Sequence, residues 1–385
     1  MTRKLLIEGW RGINQSYAMV NQYQMLALAN LGIDFYHHDL PFFNQDWNQQ
    51  RNNCGFEGEE IKRLSEVKKF TQQDKVSATY RISYPYRLYP SECENLFVFG
   101  TSEYQMISDD MVFDDGLGLK YAQRPLTIIT PSSWSKIGFL RAGFRDEQVK
   151  VVPHGVDLEI FRPLATHLKE AYRNSLGATK DDFIILSVGG MTFNKGIDVL
   201  LTAYLKLKNK YPHIRLVLKD QRLLYGVSAN NIINEYCHKK GINLSSNEMQ
   251  EVVSSFFVIS ENLTLNQLNG LYNAANCYVS PYRAEGFNIP PLEAAAAGIP
   301  VVVTKGGSTD DYVDDSFAAQ IESTLIVKDK KHFLEPEVDS LIAHLSDLIE
   351  NKNKKINFVN TNTWIKNRFT WQGVTKKLVE EYLPL

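Results

Sequence analysis

The chain of 385 residues has almost no net charge: 42 Lys and Arg stand against 44 Asp and Glu, a formal −2 with neutral histidines. A duplex-binding protein carries a basic excess with which to displace phosphate counterions, and a membrane-coating one carries a basic amphipathic face. Neither is written in this balance, so nucleic acid is not an expected partner. Cysteine is scarce as well. Cys54, Cys93, Cys237 and Cys277 form no CxxC pair and no metal-ligand spacing, which leaves four free thiols and no metal site. Long apolar runs are also missing. The amino-terminal stretch Met1-Thr2-Arg3-Lys4-Leu5-Leu6-Ile7-Glu8 offers three apolar residues before a charge, whereas a signal peptide needs roughly seven and a membrane span about 18. The longest apolar stretch, Ala294 to Val303, is interrupted by Gly298 and Pro300 and reads as a short helix, a turn and a buried strand. The expectation is a cytoplasmic protein without a spanning segment.

What is present is an ordinary globular composition, 44% hydrophobic and 22% charged, with length for about two domains. Each half opens on a short strand, a glycine-bearing turn and a helix. Lys4 to Ile7 reads as strand, Gly9-Trp10-Arg11-Gly12 as turn, and about Asn14 to Leu31 as a helix with Tyr17, Val20, Ala27 and Leu31 on one face, stopped by Gly32. In the second half Phe183 to Val188 is an apolar run of buried parallel-strand type, followed by Gly189-Gly190 and Lys195-Gly196. A helix carrying Val199, Leu200, Ala203 and Leu207 inward comes next. Strands at Ile214–Leu218, Phe256–Ile259, Cys277–Ser280 and Pro300–Val303 alternate with helices such as Leu265 to Ala275. Such alternation predicts an α/β protein with parallel sheets covered on both faces. Val151 to Asp157 and Phe161-Arg162-Pro163, punctuated by proline and glycine, mark a linker. Phe42 to Leu96, rich in Asn, Gln and aromatic residues, reads as a less regular insertion that shapes a substrate site. His37-His38-Asp39 reads as loop polarity rather than a metal site.

The most informative segment runs from Arg283 to Val303. Its carboxylates Glu285 and Glu293 are separated by seven residues, one before a helix and one in its first turn. Pro290 and Pro291 suit a helix opening, where a missing N–H is harmless, so the amides of Phe287 to Ile289 are expected to point at an anion such as a diphosphate.

These residues resemble the retaining glycosyltransferases of family 4, with their Glu-x(7)-Glu signature before an alanine-rich helix and Gly-x-Pro-Val. The resemblance extends over Pro131-Ser132-Ser133-Trp134, Gly143, Val152 to Asp157, Phe161 with Pro163, Gly189 through Lys195-Gly196, the Glu285 to Val303 block and Gly306-Gly307. It implies the GT-B fold, two Rossmann-like parallel-sheet domains facing each other across a cleft. Residues 1–163 would form the acceptor-side domain, 164–368 the nucleotide-sugar domain, and 369–385 a helix crossing back to the first. By position, Glu285 would contact donor-sugar hydroxyls near the reacting carbon and Glu293 both ribose hydroxyls; carboxylates suit each role because they accept two hydrogen bonds from a diol. A first-turn carboxylate also merely complements a helix dipole, for about 0.3–1 kcal/mol. Lys195 would bind the donor diphosphate, with Gly286, Phe287, Asn288 and Ile289 lining the donor site. An arginine commonly stands five residues before that lysine in the family, and here the place is Gly190. Leaving-group stabilisation would then rest more heavily on Lys195 and the helix amides, or be shared by Arg11, Lys219 or Arg222, and the residues do not choose among them.

Gly12 resembles the family glycine that lets backbone approach the donor, and Glu103, after the strand Leu96–Phe99, would face the acceptor. A surface glutamate opening a helix is the plainer reading of Glu103. Leu263, after the strand Phe256–Ile259, would lie where the base is read. His154 falls in the linker motif, supporting the hinge region rather than chemistry. The implied reaction is transfer of a hexose, UDP-glucose being the donor preferred, to a saccharide or lipid-linked acceptor in polysaccharide synthesis, with retention and without metal or other cofactor. A lipid-carried acceptor would bring the protein to the inner face of a membrane. GDP-mannose as donor, and a catalytically silent sugar-nucleotide-binding scaffold, stay open. A nicotinamide oxidoreductase is disfavoured, since neither glycine turn spells Gly-x-Gly-x-x-Gly.

Overall fold

In this computed structural model, which describes residues 4–228, 231, 255–351 and 358–384, apolar runs that end at glycine become strands buried on both faces. The chain divides into two compact units. The first comprises Met1–Gly155, Lys328–His332 and Asn367–Leu385, and the second Val156–Val327 and Phe333–Lys366.

The first unit holds a six-stranded parallel sheet of β1 (Leu5–Gly9), β2 (Phe35–Asp39), β3 (Ala78–Ile82), β4 (Leu96–Phe99), β5 (Thr127–Thr130) and β6 (Val149–Val151), in the order β2-β1-β3-β4-β5-β6. Its first helix, Ser16–Asn30, starts where the Gln15 side chain accepts the Tyr17 N–H at 2.6 Å. It stops at Gly32, whose φ of +71° lets the N–H of Ile33 reach the carbonyl of Leu28 and that of Gly32 the carbonyl of Ala29, both at 3.1 Å. The helix is buried nearly all round rather than on one stripe, Asn21, Gln22 and Gln24 included. The reason is the last helix, Trp371–Glu381, which packs on its outer side with the Trp371 ring stacked on Tyr23 at 4.8 Å. Leu31 lies beyond the helix and is half-buried.

Two expectations for this unit are corrected. The Phe42 to Leu96 stretch is not simply an irregular insertion, because it contains β3, paired to both β1 and β4. Arg81 disguises that strand. Its guanidinium is buried against Glu8, with Nε donating to Oε2 at 2.6 Å and Nη1 to the Arg87 carbonyl at 3.0 Å, so a charge sits inside a sheet without an unpaired group. His37-His38-Asp39 is likewise not a loop but the second half of β2; His37 is buried, its Nε2 3.0 Å from Asn21 Nδ2.

The second unit holds β7 (Phe183–Val188), β8 (Ile214–Lys219), β9 (Phe256–Ile259), β10 (Cys277–Ser280), β11 (Val301–Thr304) and β12 (Ala318–Ile321), all parallel, in the order β12-β11-β10-β7-β8-β9. One face packs Phe183, Ile185, Leu216, Leu218, Cys277 and Val279 against Val199, Leu200, Ala203 and Leu207 of the helix Ile197–Lys210 and Leu341 and Leu345 of Val338–Glu350. The alternate residues face the opposite way, where Tyr278 lies 5.9 Å from Tyr272 of the helix Leu265–Ala274. In this strand order the chain leaves β7 toward β8 and β9, then returns to β10 on β7's other side. The chain therefore leaves β7 and β10 toward opposite faces of the sheet, a switch point at the carboxyl ends of the strands, where the ligand crevice of such sheets usually lies.

Cys54 and Cys277 are buried free thiols and Cys93 is a half-buried one; Cys237 and Met1-Thr2-Arg3 lie outside the described residues. Among the described residues no helix is long and apolar enough to cross a membrane.

Candidate functional site

The two loops at the β7/β10 crevice are laced together by residues on both. Gly196 has φ +65°, and a Cβ there would lie 1.9 Å from the Pro281 carbonyl oxygen, so only glycine lets the loops meet. The Arg283 N–H donates to the Asn194 carbonyl at 2.7 Å and Asn194 Nδ2 to the Ala284 carbonyl at 3.1 Å. Arg283 itself is buried between two carboxylates, its Nη1 and Nη2 donating to Asp198 at 2.7 and 2.8 Å and its Nε and Nη2 to Glu335 at 2.8 Å. Its guanidinium lies 4.4 Å from the centre of the Phe193 ring. The consequence of this lacing is that Lys195, from the β7 loop, and Glu285, from the β10 loop, form an ion pair through Nζ and Oε1. Glu285 is buried, whereas the Lys195 side chain keeps 23% of its exposure.

Beyond Glu285 come Gly286, Phe287 and Asn288, then the helix Ile289–Ala296. Asn288 takes φ +71°, a left-handed conformation that Asn tolerates better than most residues. It is held there by Tyr312, whose Oη donates to the Asn288 carbonyl at 2.6 Å, and by its own Nδ2 donating to Ser280 Oγ at 3.0 Å. Because the helix starts at Ile289, the expectation that Glu293 lies in the first turn is corrected: no acidic residue lies there, and Glu293 is one turn in, too deep for the terminal dipole. It is buried, and Tyr272 Oη donates to its Oε2 at 2.7 Å. Burial pushes its carboxyl up to about 7, and the Tyr272 hydrogen bond opposes that rise.

Leu263 is half-buried after the edge strand β9, one residue before Thr264, whose side chain caps the helix Leu265–Ala274 in a reciprocal pair with Gln267. It shares the carboxyl edge of the sheet with the Lys195–Glu285 pair but lies two strands beyond β7. At Gly190 a Cβ would lie 3.3 Å from the Tyr225 ring and 3.9 Å from Gln221 Oε1, so those side chains cover the position where the family carries arginine.

In the first unit, Arg11 and Gly12 follow β1. Gly12 has φ +75°; its N–H donates to Gln22 Oε1 at 3.1 Å and its carbonyl accepts from the Asn52 N–H at 2.9 Å. Arg11 is gripped in a fork by Asp39, Nε to Oδ1 at 2.7 Å and Nη2 to Oδ2 at 2.8 Å, which neutralises its charge locally. Glu103 follows β4, half-buried, and its backbone carbonyl accepts the Trp134 indole N–H at 2.7 Å. His154 is packed between Phe99 and Trp371, ring centres 5.5 and 5.6 Å away, and burial lowers its pKa to about 3, so it stays neutral.

Sequence reading missed Tyr272, Tyr312 and the Asp198–Arg283–Glu335 knot. Only Arg283 carried a signal, two residues ahead of Glu285, where a basic residue beside a site carboxylate asks for a partner.

The family model of glycosyl transferases group 1 matches residues 169–363, just over half of the chain. A D-inositol 3-phosphate glycosyltransferase of Segniliparus rotundus is 28% identical over 203 residues, 51% of this chain and 40% of its own length. A mannosylfructose-phosphate synthase of Agrobacterium fabrum is 24% identical, over 62% of this chain and 48% of its own. The matches span about half the length of these curated relatives. Among solved structures, Anabaena Alr3699/HepE in complex with UDP-glucose has a TM-score of 0.66 at 15% identity, covering 99% of this chain and 100% of that one. A glycosyltransferase from Rickettsia africae has 0.68 at 13%, covering 99% and 98%. At such identities the likeness shows the fold, which is GT-B. On the matched span, this chain belongs to the glycosyl transferases group 1.

Proposed function

We propose that the chain is a retaining hexosyltransferase of glycosyltransferase family 4. It moves glucose from UDP-glucose to a saccharide or lipid-linked saccharide acceptor in polysaccharide synthesis and needs no metal. The observation that carries the reading is the meeting of Lys195 and Glu285 at the carboxyl ends of β7 and β10, where the strand order opens a ligand crevice. Lys195 supplies charge to the departing diphosphate, assisted by the amides at the start of Ile289–Ala296, while Glu285 takes sugar hydroxyls and Glu293 the ribose diol through the oxygen that Tyr272 does not use. In the second unit Gly286 to Ile289 line the donor and Leu263 meets the base; in the first unit Gly12 is given to the donor and Glu103 to the acceptor, while Arg11 stays held by Asp39.

The bond from the sugar's anomeric carbon to the diphosphate oxygen breaks as the acceptor oxygen bonds to the same face, and the acceptor's proton passes to the leaving phosphate oxygen. No side chain need form a covalent sugar. UDP-glucose is preferred because Anabaena Alr3699/HepE, of the same fold, is found with UDP and with UDP-glucose. The protein acts in the cytoplasm, and a lipid-carried acceptor brings it to the inner membrane face.

Release of nucleotide diphosphate from UDP-glucose, UDP-galactose, UDP-N-acetylglucosamine and GDP-mannose, with EDTA present, tests this reading. The intact chain is compared with Glu285→Ala and Lys195→Ala. Turnover of UDP-glucose in EDTA, lost in both variants, is expected. Turnover of GDP-mannose alone would make it a mannosyltransferase, and metal-dependent turnover would overturn the metal-free step. Gly190 favours the second reading, a silent sugar-nucleotide binder, which would bind donor but release nothing with any acceptor.

A further inference from the structure

Lys219 ends β8, directly beside the end of β7, where Val188 is its register partner and the Gly189 N–H donates to its carbonyl at 3.0 Å. Its side chain is buried, 8% exposed, which is an unusual place for an ammonium. Buried charges are ordinarily paired, since an isolated one loses its hydration without recompense. Lys219 has no ion pair among the described residues; Nζ donates to the backbone carbonyl of Asp220, and Asp220 and Glu261 act on it only from a distance. Burial accordingly lowers its pKa from the usual lysine value.

Its neighbours beyond β7 are two glycines, of which Gly190 lies against the Tyr225 ring. Gly189 and Gly190 offer no side chains, and a Cβ on Gly189 would stand 3.7 Å from Lys195 Nζ. One glycine thus has the Lys195 ammonium on one side and the Lys219 backbone on the other. By strand alternation Lys219 shares the sheet face of Tyr278, the side on which Tyr272 and Glu293 lie. Arg11 and Arg222 are differently placed: Arg11 is spent on Asp39, and Arg222 is solvent-exposed.

We infer that Lys219 is a second cation for the donor diphosphate, a buried ammonium whose counter-ion is the ligand itself and which stands in for the arginine absent at Gly190. The inference rests on the donor reading above. It explains why a buried ammonium with no ion pair among the described residues persists beside two glycines.

The test compares Lys219→Met, which keeps the stem and removes the charge, with Lys219→Gln and the intact chain. Calorimetric binding of UDP, uridine and inorganic pyrophosphate is measured after thermal unfolding confirms each fold. Lys219→Met is expected to be as heat-stable as the intact chain or more so, to bind UDP about 10- to 100-fold more weakly, and to bind uridine unchanged. UDP affinity within twofold of the intact chain would overturn the inference and leave the donor reading standing. An equal loss for uridine and UDP would overturn it too, moving Lys219 to the ribose or base. Pyrophosphate separates the two failures: lysine-dependent pyrophosphate binding in a chain that takes no nucleotide would keep the anion site and sink the donor reading. Binding of none of the three probes by the intact chain would sink both.

Discussion

Tyr272 donates its phenolic proton to Oε2 of Glu293 at 2.7 Å, from the helix Leu265–Ala274 to the helix Ile289–Ala296, with both groups buried. The bond occupies one carboxylate oxygen and favours the ionised form, against burial that raises the pKa to about 7. A ribose diol is best held by the carboxylate, which accepts from both hydroxyls.

Donor affinity should therefore rise with pH through about 7 as Glu293 loses its proton. In Tyr272→Phe the opposing bond is gone and the transition moves to higher pH. A pH series of donor KM and kcat checks this: KM should shift with the variant while kcat at high pH and saturating donor stays close to that of the intact chain. A uniform fall in kcat with no change in the pH profile would mean that Tyr272 only supports packing.

Glu293→Gln should separate stability from function. The folded carboxyl titrates near 7 against an ordinary value of 4.5, so between those pH values the unfolded chain ionises while the folded chain keeps its proton. The Glu293 contribution to stability therefore falls as pH rises through that window and is constant above it. The amide is neutral throughout. The melting temperature of Glu293→Gln relative to the intact chain should climb by a few degrees from pH 4 to pH 7 and level off, while donor binding weakens at least tenfold. A stability difference that is flat in pH would contradict the raised carboxyl.

Lys195 and Glu285 should behave as a coupled pair. Lys195→Met leaves Glu285 buried without its cation and should destabilise the fold by about 1–3 kcal/mol, discounted because the lysine is partly exposed. Lys195→Met with Glu285→Gln should recover much of that stability and none of the turnover. Denaturant unfolding of the two singles and the double measures the coupling; strictly additive losses would mean the pair is not formed in solution.

Gly196→Ala should lose both stability and turnover. The added methyl meets the Pro281 carbonyl in a left-handed backbone position, so the β7 and β10 loops must separate and carry Lys195 away from Glu285. A loss of about 2–4 kcal/mol is expected. Unfolding within 1 kcal/mol of the intact chain would show that the loops are less tightly joined than the structure has them.

The second sheet was legible because its strands are buried on both faces, and runs such as Phe183–Val188 and Val301–Val303 therefore contain little else than apolar residues. The first sheet was less so. β3 carries Thr79 and Arg81, and β2 carries a buried His37 beside an exposed His38, because the buried polar groups there find partners in Glu8, Asn21 and backbone carbonyls that lie far off in sequence. The site divides in the same way. Glu285, Glu293 and Lys195 announced themselves through local spacing, whereas the partners that hold them depend on tertiary contact. Tyr272 is 21 residues from Glu293, and Asp198 is 85 from Arg283, separations at which a single sequence carries no pairing signal.

The last helix, Trp371–Glu381, belongs to the first unit, where it closes over the helix Ser16–Asn30 and stacks Trp371 on Tyr23. On the ribosome this reverses the customary order of completion. The first unit's sheet is made before the second unit, yet the first unit stays incomplete until residues after Lys366, the last of the second unit, have been added. Until then the Tyr23 side of the first helix is without its cover, so a nascent chain stalled before Trp371 presents buried surface to chaperones and proteases.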